Sequence, residues 1–471
     1  MAARVVAAVD LGASGGRVVA GLVDGGELTL DVVHRFTNAV RDDADHLRWD
    51  IRRLFREVQV GLARLAERFP QVESIGVDTW GVDYGLLDAS GELIADPIAY
   101  RDGCTTAVID DVHRRIDPQQ LYRINGLQFL PFTTLYQLAA EQSGPRWERA
   151  AWVVLLPDLI AYWLTGELRT ELTNASTTGL LDRRVNRWSS VALDAIGVPE
   201  SMLAPLEAPG VTRGVLLPTV GASLGLANDV VVTTVGSHDT ASAVAGLPAT
   251  STPVAYAISG TWSLVGIETG VPVMSADARA ANFTNELGID GRTRFLRNVG
   301  GLWLLQECLR EWGLDRSGEA LERLLDEAAS LPAGPTFEVD DPALIPPGDM
   351  PSRIEKMLAG RAPASRTPAA LTRAIVDSLA DAYARTLRTA AGLAGTEIGT
   401  VHLVGGGSRN ALLCQLTADA IGLDVVAGPV ETTALGNVLV QARSIGALPG
   451  DLDLIRAGLA ASQPVVMFHP R

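Results

Sequence analysis

Several short stretches carry the residue types that phosphate and hydroxyl chemistry needs, each where an apolar run gives way to small and polar residues. The first is Val9-Asp10-Leu11-Gly12-Ala13-Ser14-Gly15-Gly16-Arg17. A turn of such residues leaves backbone N–H groups facing outward, and a nest of this kind binds phosphate oxygens. Asp10, at the strand end, can hold a magnesium ion directly or through water. The same run also reads as a plain hairpin whose glycines supply positive φ, with Asp10 a turn residue. Its spacing is not that of a dinucleotide fingerprint. The second stretch is Asp78-Thr79-Trp80-Gly81-Val82-Asp83, after the apolar run Ser74–Val77. Asp78 would stand at the carboxyl end of a buried strand, where α/β proteins bind ligands. Gly81 would let a small substrate approach the backbone and Trp80 offers an apolar wall, although a core tryptophan beside a turn fits equally.

The third stretch is Gly236-Ser237-His238-Asp239-Thr240-Ala241-Ser242, entered from Val231–Val235. An aspartate there can take the proton of a hydroxyl attacking phosphorus, a contribution on the order of 10²–10⁴ in rate. Phosphoryl transfer otherwise needs placement and charge neutralisation. Asp239 could instead be a helix N-cap. Ser259-Gly260-Thr261-Trp262-Ser263 offers a second candidate phosphate turn, and Val404-Gly405-Gly406-Gly407-Ser408-Arg409-Asn410 a glycine turn that permits close approach of a base or ribose. A simple strand-to-helix turn accounts for the latter as well. Asn298 and Gln306 are eight apart, so on one helix they project to similar faces.

The elements that must hold these residues are legible in outline. Arg4–Val9, Arg17–Val23 and Leu28–Phe36 read as strands joined by tight turns. Asp50 caps an amphipathic stripe of Ile51, Leu54, Phe55, Val58, Leu62, Leu65 and Phe69 that ends before Pro70. The pattern restarts at Pro253–Ser259 with strand, small-residue turn and strand, and Val401–Val404 again runs into glycines. We read two related α/β domains with mixed sheets, 1–248 and 249–471, meeting where Gly246, Pro248 and Pro253 loosen the chain. Residues 332–370, rich in proline, read as an exposed insertion or long loop, and 369–393 as a core helix.

Composition narrows the partners. The chain has 471 residues and a formal net charge of −16, which disfavours polyanions such as nucleic acid. No apolar run reaches the roughly 18 residues that span a bilayer, and Asp10 interrupts the N-terminal one too early for a signal peptide. Three separated cysteines, Cys104, Cys308 and Cys414, have no metal-ligand spacing and suit a reducing cytoplasm. Lys356 is the single lysine and matches no Walker loop or Schiff-base position, so any ATP chemistry proceeds without a catalytic lysine.

Taken in chain order, these motifs resemble the FGGY carbohydrate kinases over nearly the whole sequence. The phrases carrying the likeness are AAVDLGASGGR at 7–17, GVDTWGVDYGLLD at 76–88, YRD at 100–102, GSHDTASAVAG at 236–246, ISGTWSLVG at 258–266, NFTNELG at 282–288, FLRNVGGLWLLQECLREW at 295–312 and VGGGSRN at 404–410. TWGVDYGLLD at 79–88 and the stretch from NFTNE at 282 to GLWLLQE ending at 307 resemble the members that act on L-rhamnulose. The likeness implies two ribonuclease-H-like domains of the actin and hexokinase type, with the active site in the interdomain cleft. It implies ATP phosphates on Ala13, Ser14, Gly15, Gly16 and Arg17 with Asp10 near Mg2+, and Thr261 contacting phosphates from the second domain. Asn298, Gln306 and Gly406 would line the adenosine side. Gly81, His238, Asp239 and Thr240, with Asp78 and Trp80 beside them, would hold a ketose. Asp239 would be the general base in making L-rhamnulose 1-phosphate from the C1 hydroxyl.

The family turn reads Ser-Ser-Gly where this chain has Ser14-Gly15-Gly16, which implies a lost hydroxyl and a looser loop. The reading is thus of a cytoplasmic enzyme, a monomer or weak homo-oligomer, with only small-molecule partners. Sister kinases for fuculose, xylulose, gluconate or glycerol are the alternatives within the class. An actin-like ATP-binding protein without kinase activity, and an oxidoreductase, are those outside it.

Overall fold

The structure is a computed structural model that describes residues 3–43, 45–315, 317–360 and 367–471. It forms two compact units. The first takes Met1–Thr250, Gly270–Arg294 and Thr432–Ser462, and the second takes Ser251–Thr269, Phe295–Glu431 and Gln463–Arg471.

The first unit is built on Arg4–Gly12, whose Val5, Val6, Ala7, Ala8 and Val9 are all buried. A strand buried on both faces belongs in the middle of a sheet. It pairs antiparallel with Gly15–Asp24 and parallel with Val72–Thr79, which sets Asp10 opposite both Arg17 and Asp78. The full order is Thr212–Val215, Val231–Thr233, Val72–Thr79, Arg4–Gly12, Gly15–Asp24, Glu27–Thr37. Parallel strands end on one side of the sheet, and a parallel bridge from Thr79 to His238 carries the same edge on to the third motif. The helix Ile51–Arg68 is capped by the Asp50 carboxylate on the Arg53 N–H and buries Ile51, Leu54, Val58, Leu62 and Leu65, as its stripe predicts.

A second helix, Thr432–Ser444, packs on Arg4–Gly12, Val72–Thr79 and the helix Asp239–Ala245. Within its buried face, Gln441 donates to the Ala7 carbonyl at 3.0 Å and to Asn437 Oδ1 at 2.6 Å. These bonds satisfy the Gln441 amide N–H groups, whose burial would otherwise be costly, while its Oε1 has no hydrogen-bond partner.

In the second unit the strands run Thr293–Gly300, Trp262–Thr269, Ala255–Ser259, Thr400–Val404, Asp424–Ala427, Val466–Phe468. Ala255–Ser259 pairs antiparallel with Trp262–Thr269 and parallel with Thr400–Val404, and Asp424–Ala427 pairs antiparallel with the last strand. The first unit shows the same alternation about Arg4–Gly12, so the repeated topology read from the two strand-turn-strand openings is present. The helix Pro368–Ala394 buries Leu371, Ile375, Leu379, Tyr383 and Leu387, as its spacing indicates.

Two sequence expectations are corrected. The stretch 332–370 is not simply an exposed loop: it contains the helix Met350–Leu358, and Phe337, Val339, Leu344, Met350, Ile354 and Leu358 are buried. Met350, Ile354 and Leu358 recur at helical spacing, a signal hidden among the prolines and glycines. Residues 361–366 of that stretch lie outside the described residues. Second, Asn298 and Gln306 do not share a helix, because Asn298 is on the strand Thr293–Gly300 and Gln306 on the helix Trp303–Trp312.

Candidate functional site

Four carboxylates of the first unit stand at or just beyond the sheet edge, and burial separates them. Asp10 is paired with Arg17, whose Nε and Nη2 lie 2.8 and 2.6 Å from Oδ2. This follows from hairpin register, since the two residues face each other across the strands. The turn itself is tighter than the glycines suggest: Gly12 pairs with Gly15, leaving only Ala13 and Ser14 between. Gly12, Gly15 and Gly16 are not among the residues with positive φ. Gly15 is required for space instead, because a Cβ there would stand 2.9 Å from the Phe36 carbonyl oxygen. The anticipated loosening at Gly15 is therefore not seen; the residue is paired in a strand with Thr37.

Asp78 is fully buried, with Oδ2 accepting from Asn437 Nδ2 at 2.5 Å and Oδ1 without a hydrogen-bond partner. Burial, and then the neighbouring charge of Asp10, hold its carboxyl well above the usual range, against the Asn437 bond.

Asp239 is the accessible member, its side chain 32% exposed against 8% for Asp10. It begins the helix Asp239–Ala245 but is not its N-cap, a position held by His238. Asp239 Oδ1 accepts from the Thr240 N–H at 2.6 Å and from Thr240 Oγ1 at 3.1 Å. Behind it, the buried Glu171 carboxylate accepts from Ser237 N at 3.1 Å, Ser237 Oγ at 2.7 Å and Thr173 Oγ1 at 2.5 Å. Burial raises the Glu171 pKa and these hydrogen bonds oppose the rise. The segment entering Asp239 is thus tied down through a charged acceptor, the stronger class of hydrogen bond.

Around Gly81 the backbone is held rather than open. A Cβ on Gly81 would meet Thr177 Oγ1 at 2.9 Å, so that side of the glycine is filled by protein. Val82 has φ 68°, unusual for a β-branched residue, and its carbonyl accepts from Thr134 Oγ1 at 2.6 Å. Trp80 is buried and packs against Trp49, the rings tilted by 50° with centroids 4.5 Å apart. Both indoles donate to Asp83 Oδ2, at 2.9 and 2.6 Å, and Gln137 Nε2 donates to Oδ1 at 3.1 Å. Burial pushes the Asp83 carboxyl up to about 6, with the indole bonds working the other way.

Asp83 therefore yields a signed pH prediction. Its folded pKa lies above the ordinary value of 3.8, so between the two the folded chain binds more protons and this group favours folding at the acid end. The stability of the wild type relative to Asp83→Asn should fall as pH rises through about 6. Thermal unfolding of both proteins at about pH 5 and about pH 7.5 measures this. A gap that stays constant would show that Asp83 does not titrate in this window.

The second unit gathers its own small-residue turns. Ser259 Oγ and Ser263 Oγ lie 3.0 and 2.5 Å from the Tyr383 hydroxyl, fixing both arms of the Gly260-Thr261 turn. The helix Trp303–Trp312 docks on that turn, with Leu302 N donating to the Gly260 carbonyl at 2.9 Å and Trp303 N to the Thr261 carbonyl at 3.1 Å. Thr261 Oγ1 donates to Gln306 Oε1 at 3.5 Å, so two predicted residues meet. The turn after Thr400–Val404 joins them, because a Cβ on Gly407 would stand 2.2 Å from Ser259 Oγ. Gly406, by contrast, faces open space.

Sequence reasoning missed Asn437, Gln441, Glu171, Glu286 and Arg294. Asn437 and Gln441 stand four apart in an otherwise apolar helical run, a pattern that marks buried polar anchors. Glu286 lay inside the NFTNELG phrase without a role. Among the described residues, His46, Asp102 and Cys104 also come within metal-ligand reach of one another, which cysteine spacing did not reveal. Burial first, and then the bond to Asp102, push the Cys104 thiol up to about 12, so it is not poised as a thiolate ligand. No helix among the described residues is long and apolar enough to cross a membrane.

Residues 5–246 match the N-terminal domain model of the FGGY family of carbohydrate kinases and residues 255–445 its C-terminal domain model. A rhamnulokinase of Enterococcus faecalis is 39% identical, covering 99% of this chain and 94% of its own. A rhamnulokinase of Pectobacterium carotovorum is 40% identical, covering 100% and 94%. Among solved structures, gluconate kinase from Lactobacillus acidophilus superposes with a TM-score of 0.81 at 17% identity, over 100% of this chain and 94% of that one. A xylulose kinase from Rhodospirillum rubrum gives 0.79 at 17%, over 99% and 94%. With both of its halves matched and relatives of this identity along its whole length, the chain belongs to the FGGY family of carbohydrate kinases.

Proposed function

We propose that the protein transfers the γ-phosphoryl group of ATP to the C1 hydroxyl of L-rhamnulose, giving L-rhamnulose 1-phosphate and ADP. The observation that carries the chemistry is the contrast among the carboxylates: Asp10, Asp78 and Asp83 are buried, whereas Asp239 is partly open and begins a helix. The choice of sugar rests on the rhamnulokinases of 39–40% identity.

In this reading Asp239 Oδ1 keeps its bonds to Thr240 while Oδ2 takes the proton of the attacking hydroxyl, as the new O–P bond forms and ADP leaves. The Ala13–Gly16 N–H groups and Thr261 take the phosphates, with Arg17 held beside Asp10. Asn298, Gln306 and Gly406 serve the adenosine, and the segments 1–248 and 249–471 divide sugar and nucleotide binding between them. Gly81, His238 and Thr240 position the ketose, with Asp78 and Trp80 supporting them from buried positions.

Magnesium fits the first unit on its donor set. Asp10 and Asp239 both act electrostatically on Asp78, whose Oδ1 is buried without a hydrogen-bond partner, and hard carboxylate oxygens suit this ion. Asp10 would hold it, with Asp78 and Asp239 alongside. When bound it would neutralise phosphate charge. We assign the enzyme to the cytoplasm, as a monomer or weak homo-oligomer acting on small molecules alone.

An ADP-release assay over L-rhamnulose, L-fuculose, xylulose, gluconate and glycerol tests the substrate. The highest kcat/KM should fall on L-rhamnulose; equal or better use of another member moves the protein to that sister activity. Absence of sugar-dependent ADP release with every one would favour a nucleotide-binding role without sugar transfer.

A further inference from the structure

His238 is enclosed by two buried charged groups that no step above uses. Arg294 is fully buried, and its Nη2 lies 3.0 Å from His238 Nδ1. Glu286, also buried, places Oε2 3.0 Å from the same Nη2 and 3.3 Å from Nδ1. On the other edge of the ring, Nε2 is 3.4 Å from Asp239 Oδ1. Arg294 is itself anchored, its Nε donating to the Leu287 carbonyl at 2.9 Å. An arginine can only donate, so the nitrogen it meets must accept, and Glu286 Oε2, the acceptor that competes for Nδ1, makes no hydrogen bond there.

We infer that Arg294, neutralised by Glu286, is a positioning residue that fixes the Nε2–H tautomer of His238, so that the ring aims a donor at Asp239 and holds the carboxylate in one rotamer for the sugar hydroxyl. Which ring nitrogen carries the proton is set by the bond made at the other, and here that bond comes from a guanidinium that the Leu287 carbonyl and Glu286 hold in place. Glu286 answers a second need. A guanidinium buried beside an imidazole is tolerable only with a counter-ion, and although burial raises the Glu286 carboxyl, the Arg294 charge leads the causes that bring it below its ordinary value, so it stays ionised. The arrangement rests on the reading of Asp239 as the base; the tautomer itself does not.

Two variants separate these layers. Arg294→Lys keeps the charge that Glu286 requires but is one bond shorter, which withdraws the donor from Nδ1, and Glu286→Gln is isosteric and removes the counter-charge. Circular dichroism and thermal unfolding establish that each is folded. ¹⁵N spectra of histidine-labelled protein, with His238 assigned by the loss of its signals in His238→Gln, read the tautomer without reference to activity. The wild type should show a pyridine-like Nδ1 and a pyrrole-like Nε2, and Arg294→Lys a mixture. In that variant kcat should fall on the order of tenfold to a hundredfold, part of the 10²–10⁴ a positioned base contributes, with KM for ATP unchanged. A protonated Nδ1 in the wild type, or an Arg294→Lys spectrum like the wild type's, overturns the inference. So does a changed tautomer with unchanged kcat in a background where Asp239→Asn is inactive. Full activity of Asp239→Asn would instead remove the base assignment and leave the tautomer result standing.

Discussion

Asp239→Asn should lower kcat by on the order of 10²–10⁴, or more, while ATP still binds with near wild-type affinity. The substitution is isosteric, so Oδ1 can keep accepting from Thr240, and the site is open enough that little folding energy depends on the charge. What disappears is the capacity to take a proton. The other aspartates are poor replacements for physical reasons. Asp78 is fully buried and held well above the usual carboxylate range, so it is already biased toward the protonated form. Asp83 is saturated by two indoles, the Tyr100 N–H and Gln137. Single-turnover kinetics with equilibrium ATP binding on the same preparation measure both halves of the prediction. Near-full turnover would place the base elsewhere; lost ATP binding would make Asp239 a nucleotide ligand.

The legible and illegible parts of this site divide along sequence separation. Strands such as Arg4–Gly12 announce themselves because burial on both faces demands an unbroken apolar run, and Asp10, Asp78 and Asp239 follow from where those runs stop. The helix Ile51–Arg68 was equally visible, because its stripe and cap are local. The bond between Asn437 and Asp78 joins residues 359 apart, and no local pattern announces it. Gly15 looked like a source of turn flexibility because the obstacle that demands it, the Phe36 carbonyl, lies on a different strand. The eight-residue spacing of Asn298 and Gln306 would give them similar faces on one helix, but Gly300-Gly301 between them is the local sign that a strand ends and a helix begins later. Trp80, read as a pocket wall, is a buried partner of Trp49 and Asp83, the alternative that the residue type had left open.

Gly436→Ala should be among the most damaging single-methyl additions in the first unit. A Cβ at Gly436 would stand 1.8 Å from the Ser242 carbonyl oxygen and 2.9 Å from the Gly246 N, and one at Gly246 would stand 2.4 Å from the Thr432 carbonyl oxygen. The helices Thr432–Ser444 and Asp239–Ala245 therefore touch backbone to backbone. A methyl group has no rotamer by which to escape, and the obstacle is main chain, so one helix must move. Overpacking of this kind costs about 1–3 kcal/mol, and more where nothing can relax. Here relaxation also displaces the helix that begins with Asp239, and strains the Arg456 Nη2 bond to the Val244 carbonyl at 2.6 Å. We expect a fall of several degrees in Tm together with a lower kcat. Gly392→Ala is the matched control: it lies on the exposed side of a helix with nothing within 4 Å, and should stabilise by about 0.5–1 kcal/mol. A Gly436→Ala protein that melts and turns over like the wild type would mean that the two helices do not meet this closely, and that the packing behind Asp239 is looser than these distances require.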